Sequence, residues 1–204
     1  MQGIMVVPTI KAAWEIFLKR PFFLVGVILL VLILSTIVNA IPGDDGSFVL
    51  VIAALIVNVL IELGLIAFIL KAHDDVSKVK LADLWHPKAF LAYLAVKIIT
   101  AVAVLIGLVF LIIPGIILAL MFIFATYLVV DTGKGPIEAL KESARITKGH
   151  KWALFALMLA LIGLNIIGML ALGVGLLISV PVSLLSIAHA YRVLAKGAHA
   201  SATA

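Results

Sequence analysis

The fold is decided by residues 90–130, which read FLAYLAVKIITAVAVLIGLVFLIIPGIILALMFIFATYLVV. Lys97 is the single charged residue in this stretch. About 20 apolar residues are enough for one membrane-spanning helix, and the stretch is roughly twice as long, so it predicts two spans joined by a tight turn. We place that turn at Ile113-Pro114-Gly115, because Pro interrupts a helix and Gly accommodates a reversal.

The composition of the whole chain extends the same interpretation. Of its 204 residues, 65% are hydrophobic and 12% are charged, and the mean hydropathy is +1.35. A soluble domain is nearer to half apolar and a quarter charged, and a membrane β-barrel would show short alternating segments. The chain has no cysteine, which excludes a disulfide framework and a cysteine-based metal site. The sequence therefore predicts an all-α polytopic membrane protein.

Six apolar runs predict six transmembrane helices, arranged as three hairpins in a single integral membrane domain over residues 1–196. Pro42-Gly43 and Pro114-Gly115 would form the turns of the first two hairpins. This common plan favours a threefold internal repeat, although any helical hairpin tends to carry Pro or Gly at its turn. We expect a disordered tail over residues 197–204. The predicted spans cover about residues 22–41, 48–71, 90–112, 115–130, 151–172 and 176–194.

Amphipathic helices are predicted near residues 10–20, 79–86 and 136–148. In the third of these, Ile137, Leu140 and Ala144 recur at helical spacing and form an apolar face. A basic amphipathic helix between two spans is typical of a helix on the membrane surface. We expect the cations of this segment to face anionic lipid headgroups, and they are Lys141, Arg145, Lys148 and Lys151.

The basic residues concentrate at one end of the predicted bundle, whereas the opposite end carries only Asp44 and Asp45. By the positive-inside rule, this asymmetry predicts that both termini are cytoplasmic. Trp14, Trp85 and Trp152 fall on the same basic side, as interfacial anchors do. The formal net charge of +5 is spread over separate loops, which argues against a nucleic-acid partner.

Glu62 and Lys97 are the ionisable residues predicted to lie deepest in the membrane. Each is about 12–13 Å from the inner end of its span by helical rise, so we predict that they form an ion pair. Asn58, one turn from Glu62, and Asn165 in span five complete a candidate intramembrane polar cluster, and Asn165 is also a candidate packing contact. The pair has two interpretations, a relay for protons, ions or substrate, or a structural contact that fixes helix register.

The sequence contains no nucleophile elbow, P-loop, zinc-protease motif or dinucleotide fingerprint. His189 has no second ligand at metal-binding spacing, and His73, Asp74 and Asp75 are interpreted as a solvated loop. We therefore predict no catalytic residue, no metal and no cofactor.

A resemblance to a known family covers about Leu105 to Leu194. It is carried by Ile113-Pro114-Gly115, Asp131, residues 138–143 (EALKES) and residues 148–150 (KGH), with a late Pro181 and Tyr191. The chain resembles a bacterial family of six-span membrane proteins of unknown function, which is similar to the membrane domain of glycerophosphoryl diester phosphodiesterases. This resemblance implies a multi-pass protein of the prokaryotic inner membrane, and it implies no catalytic residue.

Together these observations favour a non-enzymatic membrane protein that acts as a scaffold, as an accessory subunit or as an organiser of lipid. The expected partners are anionic lipid headgroups, with a second protein or a further copy of the chain as additional candidates. The alternative is a small transporter or channel whose polar path passes Glu62 and Lys97.

Overall fold

The computed structural model describes residues 5–40, 47–171 and 173–200 of the chain. These residues form an all-helical protein in which six helical segments are long and apolar enough to cross a membrane. The predicted fold class, all-α with six candidate spans, is confirmed. The helices are α1 Val6–Lys19, α2 Pro21–Ala40, α3 Phe48–Asp75, α4 Phe90–Phe110, α5 Ile112–Phe122, α6 Ala125–Thr132, α7 Pro136–Thr147, α8 Lys151–Leu170 and α9 Leu176–Ala200, with 3-10 turns at Leu81–Leu84 and Pro87–Ala89.

The break between α4 and α5 consists of Leu111 alone, which has an extended backbone. The turn predicted at Ile113-Pro114-Gly115 is therefore wrong, since Pro114 and Gly115 lie in the first turn of α5. Pro fits there because the first amides of a helix have no partner within the helix. The other predicted turn, Pro42-Gly43, lies outside the described residues.

Glycines bring two pairs of helices into backbone contact. A Cβ on Gly107 would lie 2.9 Å from the Cα of Gly115, so α4 and α5 meet at two glycines. A Cβ on Gly175, the residue just before α9, would lie 2.7 Å from the Cα of Gly168, so the start of α9 is held against α8 in a similar way. Small residues at such positions let apolar helices approach closely. Gly115 therefore serves a helix contact and not the turn that its sequence context predicts.

The fourth span is interrupted at Ile123 and Phe124, between α5 and α6. Side chains of α7 satisfy the backbone groups at this break. The hydroxyl of Ser143 donates to the carbonyl of Met121 at 2.8 Å and accepts from the amide of Phe124 at 3.3 Å. The Thr147 hydroxyl lies 3.3 Å from the same carbonyl and 2.8 Å from the carbonyl of Ser143 in its own helix, so it can donate to either. Phe124 is fully buried, as a break in an apolar segment must be when no water can replace the lost bonds.

The buried face of α7 includes Leu140 of the predicted apolar face but extends to hydroxyl residues. Ile137 is 54% exposed, whereas Ser143 and Thr147 are buried against α5 and α6. The prediction took Ile137, Leu140 and Ala144 as the apolar face and did not place the hydroxyl residues. They point inward because the interrupted helix offers them a carbonyl and an amide.

α1 packs against α9 with Thr9, Ala13 and Phe17 buried at spacings of four residues. The helix predicted near residues 10–20 is therefore present, begins earlier, and contributes to the bundle core. The segment predicted as a helix near residues 79–86 forms only the short 3-10 turn.

The α3–α4 connection folds back along α3. A Cβ on Gly64 would lie 1.8 Å from the carbonyl oxygen of Leu84, so the backbone of the connection touches α3 at Gly64. Asp83 accepts a hydrogen bond from Lys71 at 2.5 Å, which fixes the same segment. The polar connection consequently reaches the level of the middle of α3.

At the other end of the chain, α9 continues to Ala200, so residues 197–200 of the predicted tail are helical, and residues 201–204 lie outside the described residues. Arg145 donates to the carbonyl of Ala198 at 3.4 Å, which ties this last turn to α7.

Candidate functional site

Glu62 and Lys97 form an ion pair between α3 and α4, and Tyr93 donates to the same carboxylate at 3.3 Å. The predicted pairing is present. The side chains are 50% and 40% exposed respectively, so the pair lies on the outside of the bundle. The depth estimate for Glu62 assumed that the connection stays beyond the end of α3. Because that connection folds back to Gly64, polar chain lies within one turn of the pair.

The two predicted asparagines do not join this pair. Asn58 donates to Asn39 on α2 at 3.1 Å and to the carbonyl of Ala54 on its own helix. Asn165 donates to Ser183 at 3.0 Å and accepts from Ser179 at 2.8 Å, which links α8 to α9. The predicted cluster is therefore three separate contacts. Each asparagine forms a hydrogen bond to a neighbouring helix and does not reach the Glu62–Lys97 pair.

A second ion-pair network, which the sequence analysis missed, is centred on Arg192 of α9. Its guanidinium donates to both oxygens of Asp74 on α3, at 3.0 and 2.6 Å, and to Asp131 on α6 at 2.7 Å. Tyr191 donates to the same Asp131 oxygen at 2.8 Å. One side chain thus connects three helices. Arg suits this position because its planar fork can bind two carboxylates at once.

The network forms because α3 continues to Asp75 where the sequence predicted a solvated loop. This extension places His73 against His189 of α9, with ring nitrogens 3.0 Å apart. Opposite charges near the ends of spans four and six, at Asp131 and Arg192, are the sequence signal that could have indicated the network.

Arg20, at the junction of α1 and α2, closes the same end of the bundle. Its guanidinium donates to the carbonyls of Val76, Ser77 and Val79, at 3.1 to 3.4 Å. These carbonyls follow the C-terminus of α3, where a cation is favourable. We call this the charged end of the bundle, defined by Arg20, Asp74, Asp131, Arg145 and Arg192.

The four cations predicted to face lipid headgroups lie on α7 and at the start of α8. Arg145 is bound by Glu142 through hydrogen bonds of 2.9 and 2.6 Å, which raise the pKa of its guanidinium. Lys141 and Lys148 are exposed, and Lys151 is half-buried. Over the described part of the chain, these three lysines have no carboxylate within ion-pair distance. Trp152, next to Lys151, is 83% exposed.

Within the residues that the structure describes, no three His, Cys, Asp or Glu side chains are grouped so that they could hold a metal ion. The charges at this end instead pair with one another and with helix termini. The chemistry that this arrangement supports is the joining of helices and, at the three unpaired lysines, the binding of anions.

Comparison with known proteins adds one finding. Residues 92–197 match a family described as proteins of unknown function (DUF975), and neither a curated protein nor a solved structure matches the chain. The matched region contains Lys97, Asp131 and Arg192, whereas their partners Glu62 and Asp74 precede it. Because the match covers more than half of the chain, this multi-span protein belongs to the DUF975 family of proteins of unknown function.

Proposed function

We propose that this protein is a non-enzymatic component of the prokaryotic inner membrane that binds anionic lipid through the lysines of α7 and the start of α8, as a scaffold or lipid organiser. In this proposal the charged end faces the cytoplasm, as the positive-inside rule favours. The resemblance to the membrane domain of glycerophosphoryl diester phosphodiesterases supports a setting close to lipid headgroups.

The observation that carries the proposal is the set of three lysines, Lys141, Lys148 and Lys151, that have no carboxylate partner among the described residues and lie beside the exposed Trp152. Nearby Arg145 is paired with Glu142. Of the four predicted lipid-facing cations, the three lysines are therefore the ones that can bind a lipid phosphate. A basic residue near an anionic bilayer surface contributes about 1 kcal/mol of attraction. Trp prefers the headgroup level, so Trp152 would hold these lysines at the appropriate depth.

The test is retention of phosphatidylglycerol by the purified protein, measured by native mass spectrometry from nanodiscs that also contain phosphatidylcholine. The protein with Lys141→Gln, Lys148→Gln and Lys151→Gln should retain much less phosphatidylglycerol, because about 3 kcal/mol of attraction is removed. The matched control replaces the same three residues with Arg, which keeps the charge, and should retain the wild-type amount. Equal retention by the Gln and Arg proteins would refute the proposal.

The transporter alternative is favoured by the break between α5 and α6, since discontinuous helices build substrate sites in many transporters. Here Ser143 and Thr147 already occupy the groups that such a break would offer. A proton or ion flux in sealed liposomes that is lost in Glu62→Gln would establish the alternative over the lipid-binding proposal.

We also propose that the three predicted hairpins derive from a repeated unit. The support is that both hairpins have a pair of glycines in backbone contact, Gly107 with Gly115 between α4 and α5, and Gly168 with Gly175 between α8 and the start of α9.

Assembly with another protein or with a second copy is part of the scaffold proposal, and cross-linking of the protein in its native membrane tests it.

A further inference from the structure

A groove of about 590 Å³ lies between α1 and the α8–α9 pair. Its wall from α1 includes Val7, Lys11 and Trp14, and its opposite wall includes Ile167 and Ile178. The volume falls within the range of about 300–1,000 Å³ that is usual for ligand sites, and the lining is mostly apolar, as in such sites. Neither the ion-pair networks nor the α7 lysines contribute to it.

The groove is open along its side. Val7, Ile167 and Ile178 are all exposed large apolar residues at its edges. Gly168 and Gly175 form part of the opposite wall, where their backbones are in contact with each other. A ligand that is itself partly embedded in the bilayer can therefore enter from the side without any opening of the bundle.

Lys11 is the one ionisable residue in the lining. Over the described residues it has no carboxylate within ion-pair distance, and that includes Glu15, which lies one turn further along α1. A cation beside an apolar groove is complementary to an amphiphile with a negative headgroup and an aliphatic chain. Trp14 is half-exposed beside it and can cover the region where chain and headgroup join.

We propose that this groove binds one acyl chain of an anionic phospholipid, whose phosphate is held by Lys11. The second acyl chain stays in the bilayer, since the groove opens laterally and its volume suits a single small ligand. The inference rests on the lipid-binding function proposed above, and it adds a defined site beside the α8–α9 turn, at the end of α8 and α9 away from the charged end.

The experiment uses phosphatidylglycerol with a diazirine in one acyl chain, irradiated in nanodiscs with the full-length protein, followed by mapping of the labelled peptides. We expect adducts to concentrate on residues 7–14 and 164–182. Lys11→Gln should lower this labelling about fivefold, the equivalent of about 1 kcal/mol. Lys19→Gln removes an exposed cation from the same helix outside this groove and is the matched control.

A second variant tests the groove without a change of charge. Ala171 lines it and is exposed, so Ala171→Phe fills the space and should abolish labelling on the same peptides. Any of three results would overturn the inference: even labelling over all exposed apolar faces, equal labelling by a phosphatidylcholine probe, or labelling only by a free fatty acid carrying the diazirine.

The two proposals fail separately. Loss of phosphatidylglycerol retention in the α7 Gln protein with no labelling of the groove would leave the proposed function standing and refute the groove. Groove labelling that depends on Lys11, together with equal retention by the α7 Gln and Arg proteins, would support the groove and refute the proposed function of the α7 lysines.

Discussion

Arg192 and Lys97 each bind a carboxylate on a neighbouring helix, but in different surroundings. The Arg192 side chain is 19% exposed and joins Asp74 and Asp131, so it connects three helices. Lys97 is 40% exposed and has the single partner Glu62, so it connects two. Burial decides what such a pair is worth, since an exposed pair is nearly balanced by the hydration that it gives up. Removing one member of a buried pair instead leaves the other uncompensated.

Arg192→Met should therefore cause the largest loss of stability of the four changes considered. We expect the free energy of unfolding to fall by about 2–3 kcal/mol, somewhat less than for a fully buried pair, because Asp74 is half-exposed. Denaturant titration in detergent, followed by circular dichroism, measures the change. Lys196→Met, an exposed cation one turn further along α9, is the control. Similar losses in the two variants would break the comparison.

Ser143→Ala tests whether the hydroxyl at the α5–α6 break matters as much as a charge. It leaves the amide of Phe124 without its partner in a fully buried place, which should cost about 1–3 kcal/mol in the same titration. Ser186→Ala is the control, because that buried hydroxyl donates to the carbonyl of Val182 in its own helix and, among the described residues, to no other helix. An equal, small loss of stability in both variants would show that the amide of Phe124 and the carbonyl of Met121 find other hydrogen-bond partners.

Glu62→Gln and Lys97→Met, separately and together, measure the coupling of the exposed pair. Because the α3–α4 connection folds back to Gly64, we expect water to reach the pair from that side and the coupling free energy to be about 0.2–1 kcal/mol. A coupling free energy larger than the loss of stability caused by Arg192→Met would show that the Glu62–Lys97 pair is the stronger of the two. It would then mean that lipid, not water, surrounds Glu62 and Lys97.

Salt gives the smallest and most specific effect. The Debye length falls from about 10 Å at 0.1 M to about 3 Å at 1 M salt, and exposed charges are screened more than buried ones. The coupling of Glu62 with Lys97 should nearly vanish at 1 M sodium chloride, whereas the effect of Arg192→Met should change little. Equal salt sensitivity of the two pairs would contradict the difference in exposure.

The two pairs also differ in how far the sequence could predict them. The Glu62–Lys97 contact follows from counting residues along two adjacent apolar runs, because helical rise fixes depth. The Arg192 network needs the extension of α3 to Asp75. The hydropathy of residues 73–75 is equally low in a helix and in a loop, so it does not predict this extension. Its partners are also distant in the sequence, so no local spacing indicates them.

Other differences have similarly local causes. The six apolar runs were sufficient to predict the spans, since length and hydropathy determine them. The position of the α4–α5 break was not predictable from Pro114 alone, because Pro is compatible both with a turn and with the first turn of a helix. The fold-back at Gly64 depends on a backbone contact that composition does not reveal.

The dependence of the α5–α6 break on Ser143 and Thr147 has a consequence for biosynthesis. Residues 112–132 contain a carbonyl and an amide whose partners lie further along the chain, on α7. While the ribosome has not yet made α7, the fourth span lacks these bonds and would enter lipid with unsatisfied backbone groups at a cost of several kcal/mol each. We therefore expect this segment to reach its final form only after Thr147 has left the ribosome and α7 can pack against α5 and α6.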